Sequence, residues 1–370
     1  MKKMQLGRLF SFLLIIYTLL FSMSVISEAR QVEPLCNDSA DGSVAVLSDD
    51  VKVGSRILDL FFGERSEKAS HTLVPGGEVF GVKLKQKYVS VTESKNIPAL
   101  KRGDIILSIN GKAVTSSEDV ARIVRQSGGE CLTIIARHGT EELKIETTPS
   151  LIDGEYKLGI SLKDSALGIG TITYIDPETG VFGGLGHGIS DAENGEIISM
   201  ESGEVCGVIL GGVHKGECGK PGELTGVLTE EDIGDLFTNT ECGVFGILDL
   251  DKIKLKDPLP IATRKELKEG EATILSTLKN GKNGEYKIKI FDIKRDSDGS
   301  KSFKIKITDP TLKSITGGIV RGMSGSPIIQ DGKLVGAVTH VMVADPTEGY
   351  GIFIENMLSA ANEGALPKVA

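Results

Sequence analysis

From residue 150 to near the C-terminus, short runs of β-branched and apolar residues recur, each closed within a few positions by a glycine turn. Such runs read as strands over residues 169–175, 205–210, 244–249, 272–277, 286–293, 304–307 and 334–339. Asp296-Ser297-Asp298-Gly299-Ser300 forms a loop between two lysine-interleaved strands, and few helices are expected before the last one, over residues 354–363. Strands this short, separated by turns rather than helices, close into a sandwich or barrel and exclude an alternating α/β sheet. Glycine supplies those turns: 46 of the 370 residues are Gly, near twice the usual share of about 7%.

Charge and cysteine content narrow the function. A net charge of −9 and a pI near 5.3 argue against nucleic acid as a main partner. The five cysteines form neither a CxxC pair nor a Cys/His cluster of zinc spacing. Free thiols are expected, with one bridge among Cys206, Cys218 and Cys242 as the alternative; no metal or organic cofactor is implied. At the start, Met1-Lys2-Lys3 and Arg8 precede an uncharged apolar run over residues 9–26. A basic flank before an apolar run is a membrane-targeting pattern, and this one is just long enough to span a bilayer. Residues 1–27 therefore read as an anchor or signal segment and 28–72 as a linker, with everything after the apolar run exported.

Residues 73–149 form a separate unit. Strands are expected over 79–84, 89–92 and 105–109, a tight turn at Asn110-Gly111, and a helix over 120–126 capped by Ser116 or Ser117. Gly128-Gly129 ends that helix, and strands over 131–137 and 142–147 complete the unit. The run LKRGDIILSINGKAV resembles the signature stretch of PDZ domains of the bacterial protease type. The resemblance implies a peptide added as a strand beside an exposed sheet edge, with Val79-Phe80-Gly81-Val82 as the carboxylate-binding turn. The bound peptide would come from another protein or from the chain's own N-terminal segment.

The sharpest chemical signal is Gly322-Met323-Ser324-Gly325-Ser326-Pro327. A nucleophilic serine needs a tight turn poor in side chains, so that its hydroxyl and neighbouring amides face one cavity. The hexapeptide resembles the G-D-S-G-G-P loop of chymotrypsin-like peptidases, with Met323 in place of the aspartate. That resemblance implies an oxyanion hole from Gly322 and Ser324 and a substrate cleft lined by Thr339 and His340. Of the five histidines, His187, within GGLGHG, has room at a strand end to act as base. His214 is the second candidate. For an orienting carboxylate, Asp309 competes with Asp176, Asp191 and Asp345.

The segments TGVFGGLGHGISD, KITDP and TGGIVRGMSGSPIIQDGKLVGAVTHVMV resemble the stage IV sporulation protein B family of serine peptidases over nearly the whole chain. The resemblance implies His187, Asp309 and Ser324 as base, acid and nucleophile. It also implies a mainly β fold: an N-terminal membrane segment, a small PDZ-like α/β domain, then a chymotrypsin-like double β-barrel over 150–370. The implied role is cleavage, in the space between the forespore membranes, of a membrane-bound inhibitory complex and of the chain itself. That cleavage triggers activation of a late mother-cell sigma factor. The alternative is a non-catalytic PDZ-bearing adaptor on a peptidase-like fold, against which the intact His/Asp/Ser set argues.

Overall fold

The structure, a computed structural model, describes residues 72–278 and 281–365. The expected membrane segment and all of the expected linker but Thr72 lie outside the described residues. Among the described residues no helix is long and apolar enough to cross a membrane. The chain begins with β1 (Thr72–Pro75), β2 (Val79–Ser94), β3 (Ile105–Ile109), β4 (Lys112–Ala113) and helix α1 (Ser117–Gln126). It continues through β5 (Leu132–His138), β6 (Glu141–Thr147), β7 (Ser150–Ile152), β8 (Glu155–Lys157) and β9 (Ile160–Ile175). Next come β10 (Val181–Gly184), β11 (Met200–His214), β12 (Glu223–Thr240), β13 (Gly243–Leu248) and β14 (Leu259–Pro260). The last third holds β15 (Gly270–Thr277), β16 (Asn283–Phe291), β17 (Phe303–Ile307) and helix α2 (Pro310–Thr316). It ends with β18 (Pro327–Gln330), β19 (Lys333–Met342), β20 (Asp345–Phe353) and helix α3 (Ile354–Ala365).

Two barrels result. The second closes in the order β15-β16-β17-β20-β19-β18. Its strands alternate as a barrel wall must: in β17, Phe303, Ile305 and Ile307 are buried while Lys304 and Lys306 lean outward. Met323, fully buried, fills the same core. The position held by aspartate in the larger peptidase group is here a core residue. The first barrel is the ring β9-β10-β13-β12-β11-β2, closed by the pairing of β2 with β9 and packed around Phe80, Phe182, Leu84 and Val244.

The PDZ-like unit is inserted into that first barrel rather than placed ahead of it. The two strands expected over 79–84 and 89–92 are one bent strand, β2, whose first half pairs with β11 and with the second half of β9. Its second half pairs with β3 and with the start of β9. Residues 72–85 therefore belong to the barrel, and the 73–149 boundary is corrected. The inserted unit is built from the far halves of β2 and β9, strands β3 to β6, α1 and the β7–β8 hairpin, around Val91, Ile106, Ile134 and Leu158. Local expectations hold inside it. Asn110 and Gly111 both take positive φ (49° and 73°), as a tight hairpin turn needs, and Ser116 caps α1 by accepting from Asp119 N–H. Cys131, Cys206, Cys218 and Cys242 are free thiols, so no bridge joins the last three.

Candidate active site

Ser324 sits in the loop between α2 and β18. Gly322 and Gly325 take φ of +94° and +95°, in the region open to glycine. A Cβ on Gly325 would fall on the Thr171 carbonyl and the Leu185 backbone. Four hydrogen bonds pin the loop. Thr171 N–H donates to Ser324 O (2.9 Å) and Thr171 Oγ1 to Gly322 O (2.7 Å). Thr173 Oγ1 donates to Gly325 O (2.7 Å), and Gly325 N–H to Val338 O (2.7 Å). The Gly322–Met323 and Ser324–Gly325 peptides are thus fixed from the β9 side. Among the described residues neither the Gly322 nor the Ser324 amide donates to a protein acceptor. Both are free to meet an oxyanion.

His187 reaches the same place from the end of β10. Leu185 and Gly186 both adopt left-handed φ (66° and 67°), and Leu185 N–H donates to Thr171 O (3.2 Å). A buried leucine in that region costs about 1 kcal/mol or more. The strain is held by packing around it. The resulting turn aims the imidazole along the face of His340, ring centroids 4.8 Å apart and tilted by 37°. His187 Nδ1 lies 2.9 Å from Gly188 O, which sets the Nδ1–H tautomer and leaves Nε2 as the basic nitrogen. Ser324 Oγ donates to the carbonyl of Thr339 (2.8 Å), the residue before His340. Burial holds His187 below the usual histidine range, with the Gly188 carbonyl drawing it partly back. His340 is pushed down to about 4 by burial, then by His187 and Lys301. Both rings are neutral at neutral pH, the state a general base requires.

Asp309 is not beside them. It caps α2, its Oδ1 accepting from Leu312 N–H (2.9 Å) and its Oδ2 from Lys287 N–H (3.4 Å). Thr339 Oγ1 donates to Ser300 O, in the loop before β17, whereas Asp309 follows that strand's far end. The strand between them, Phe303–Ile307, alone spans roughly 13 Å at about 3.3 Å per residue. The expectation that Asp309 orients His187 is therefore corrected: the Asp-Pro pair starts a helix. The competing acids are also engaged elsewhere. Asp176 caps a turn by accepting from Glu178 and Thr179 N–H. Asp191 accepts from Ser90 Oγ and Glu193 N–H, and Asp345 from Thr347. His214 is exposed, against Glu223 in the β11–β12 hairpin.

The expected peptide-binding turn is corrected as well. Val79 to Val82 lies within β2, where Gly81 and Val82 are paired on one side with Cys206 and Val205 and on the other with Ile169 and Gly168. No backbone edge is left there for a peptide. A groove of the PDZ-like unit lies between α1 and the turn from β8 into β9. A cavity of about 380 Å³ there is lined by Val120, Val124, Tyr156, Leu158, Ile160 and Leu162, among others. Gly159, at φ +68°, makes that turn. Leu158-Gly159-Ile160 repeats the apolar-Gly-apolar pattern that Phe80-Gly81-Val82 also carries, so pattern alone does not choose between them. Thr171 and Thr173 also escaped notice. Their signal was a polar residue at every second position of the buried end of β9, Gly170-Thr171-Ile172-Thr173.

Comparison with known proteins gives two family matches: SpoIVB peptidase S55 over residues 154–358 and a PDZ domain over residues 99–137. Serine protease HTRA1 of Xenopus tropicalis is 46% identical over 54 residues, a stretch that spans 15% of this chain and 12% of that protein. The PDZ domain of an SdrC-like protein from Listeria monocytogenes is 29% identical, with 21% of this chain and 90% of that one covered at a TM-score of 0.20. The active form of the Rv3671c protease from M. tuberculosis is 10% identical, covering 92% of this chain and 96% of that one at a TM-score of 0.34.

Thr171→Val keeps both backbone bonds but leaves the Gly322 carbonyl without its hydroxyl. It is expected to lower kcat about tenfold, the equivalent of one hydrogen bond of about 1.4 kcal/mol, with little change in KM. Steady-state kinetics on a peptide substrate reads this. In the parent, kcat/KM is expected to fall as pH drops through the lowered His187 value, with a midpoint below about 6.5. A pH–rate profile with its acid limb above that point would contradict a buried base.

Proposed function

The chain belongs to the SpoIVB peptidase S55 family and is a serine endopeptidase; on that premise we propose that Ser324 is its nucleophile and His187 its general base. The observation that supports this reading is the meeting of the two loops on Thr171, with the Ser324 hydroxyl on the carbonyl of Thr339, the residue before His340, whose ring packs on His187. At rest the Ser324 hydroxyl donates to Thr339 O. A substrate strand entering along β19 brings its own N–H to that carbonyl, and the hydroxyl turns to His187 Nε2. His187 takes the proton as Oγ attacks the scissile carbonyl, and the Gly322 and Ser324 amides receive the developing oxyanion. Each such donor contributes roughly 3 kcal/mol. The proton then passes to the leaving amine, and water releases the acyl-enzyme. The Gly188 carbonyl, not Asp309, keeps the base in its working tautomer.

The PDZ-like groove, in this reading, holds an extended peptide C-terminus, its last side chain among Val120, Val124, Leu158 and Ile160. The apolar lining and the strand start at Ile160, beside α1, support that use. We further infer the finer role implied by the resemblance: an exported enzyme of endospore formation. It cleaves the extracytoplasmic part of a membrane-bound regulatory complex, and itself, ahead of sigma-factor activation. The basic-then-apolar start of the chain supports export, with the apolar run in the membrane.

Two outcomes are expected. Val124→Lys lowers the affinity of the full-length chain for a peptide ending in an apolar residue at least tenfold, about 1.4 kcal/mol, read by fluorescence anisotropy. A fluorophosphonate probe labels the parent, does not label Ser324→Ala, and labels His187→Ala about 100-fold more slowly or worse. Undiminished labelling of Ser324→Ala would move the nucleophile elsewhere.

A further inference from the structure

His340 was expected only to line the substrate cleft, yet its surroundings are those of a group that acts on His187. It lies where the pairing of β19 with β20 shifts register between Val338 and Val341, so the strand is irregular at Thr339–His340. Its ring packs on the His187 ring at 4.8 Å. Its Nδ1 is fully buried with no hydrogen-bond partner, an arrangement that costs free energy unless the group serves the site. Among the described residues no carboxylate hydrogen-bonds to His187: its Nδ1 faces a backbone carbonyl, and Asp309 caps a helix.

We propose that His340 is a positioning residue for the reaction. It packs as a neutral ring against His187, holding that imidazole in its working rotamer and supporting the imidazolium that forms when Ser324 gives up its proton. The inference rests on the reading of His187 as base. A neutral aromatic face within about 6 Å of a cation attracts it, so His340 favours the charged state of His187 only while it is itself uncharged. Burial, the transient charge on His187 and the nearby Lys301 all oppose its protonation. The charged and titratable groups acting on His340 are thus His187, from the end of β10, and Lys301, from the loop before β17. Neither is an anion that would favour its charging.

The test uses the full-length protein with His340→Phe, which keeps a flat ring, and His340→Asn, which does not. The Asn variant is expected to lose about 100-fold in kcat, the lower end of what a positioned acid–base group contributes, with KM within a factor of about three. The Phe variant is expected to recover at least tenfold of that loss. A second readout does not need activity. In the Ser324→Ala background the His187 ring is titrated by NMR: His340→Asn, which removes the ring that supports the imidazolium, should lower its pKa below the parent value, while His340→Phe keeps it near the parent value. An unmoved or raised His187 titration in the Asn variant overturns the proposal whatever the activity, and so does a loss confined to KM, which would leave His340 a cleft residue. If His187→Ala retained full activity, the assignment of the base would fail instead, and that is read separately.

Discussion

The site depends on one buried residue. Thr171 uses its N–H, its hydroxyl and its carbonyl on the loops that carry Ser324 and His187: the first two hold Ser324 and Gly322, and the third holds Leu185. Buried polar groups must find partners or carry a desolvation penalty of about 1–3 kcal/mol each. A fully buried threonine with all three groups paired therefore has one favourable arrangement, and both loops inherit it. The proposed nucleophile, Ser324, comes from the second barrel and the proposed base, His187, from the first. Their relative position is a property of the contact between barrels, and reactivity is sensitive to misplacements of about 1 Å there.

The same economy appears in how the PDZ-like unit is attached. No linker joins it to the barrel. Strands β2 and β9 run through both parts, each 16 residues long. Around them, Lys87 N–H donates to Ser199 O, Arg102 pairs with the Glu193 carboxylate, and Ser90 Oγ donates to the buried Asp191. The three partners belong to the loop that follows His187, and Asn239 secures that loop from β12 through Ile189 and Ile198. The groove and His187 are therefore built on one continuous framework of sheet hydrogen bonds rather than on two bodies joined by a hinge.

The electrostatics of the site follow from exclusion of water more than from ion pairing. Two neighbouring imidazoles are both kept neutral because charging either one would place it in a poorly solvated space beside the other. Among the described residues no carboxylate hydrogen-bonds to His187. The role of the Asp309 carboxylate is local: an N-cap at a Pro-initiated helix stabilises by about 1 kcal/mol.

Much of this was legible in the chain itself, where the physics is local. Short apolar runs with glycine turns made strands, Asn110-Gly111 made its turn, Ser116 capped its helix, and the glycines flanking Ser324 made a loop only they can make. Each of those outcomes is decided by a residue's own backbone preference or by a neighbour a few positions away. What the chain could not disclose was which distant segments meet. The register that puts Val79 to Val82 inside a barrel wall links residues about ninety or more positions apart, as in Val82 with Gly168 and with Val205. Two segments carry the same apolar-Gly-apolar pattern, and only sheet pairing decides which keeps a free edge. Asp309 offered a helix cap and a catalytic acid in the same dipeptide. The cap needs only Leu312, three residues on, while the other role needs a histidine on a different barrel. Tertiary packing alone chose between them, and it alone brought Thr171, His187, Ser324 and His340 to one place.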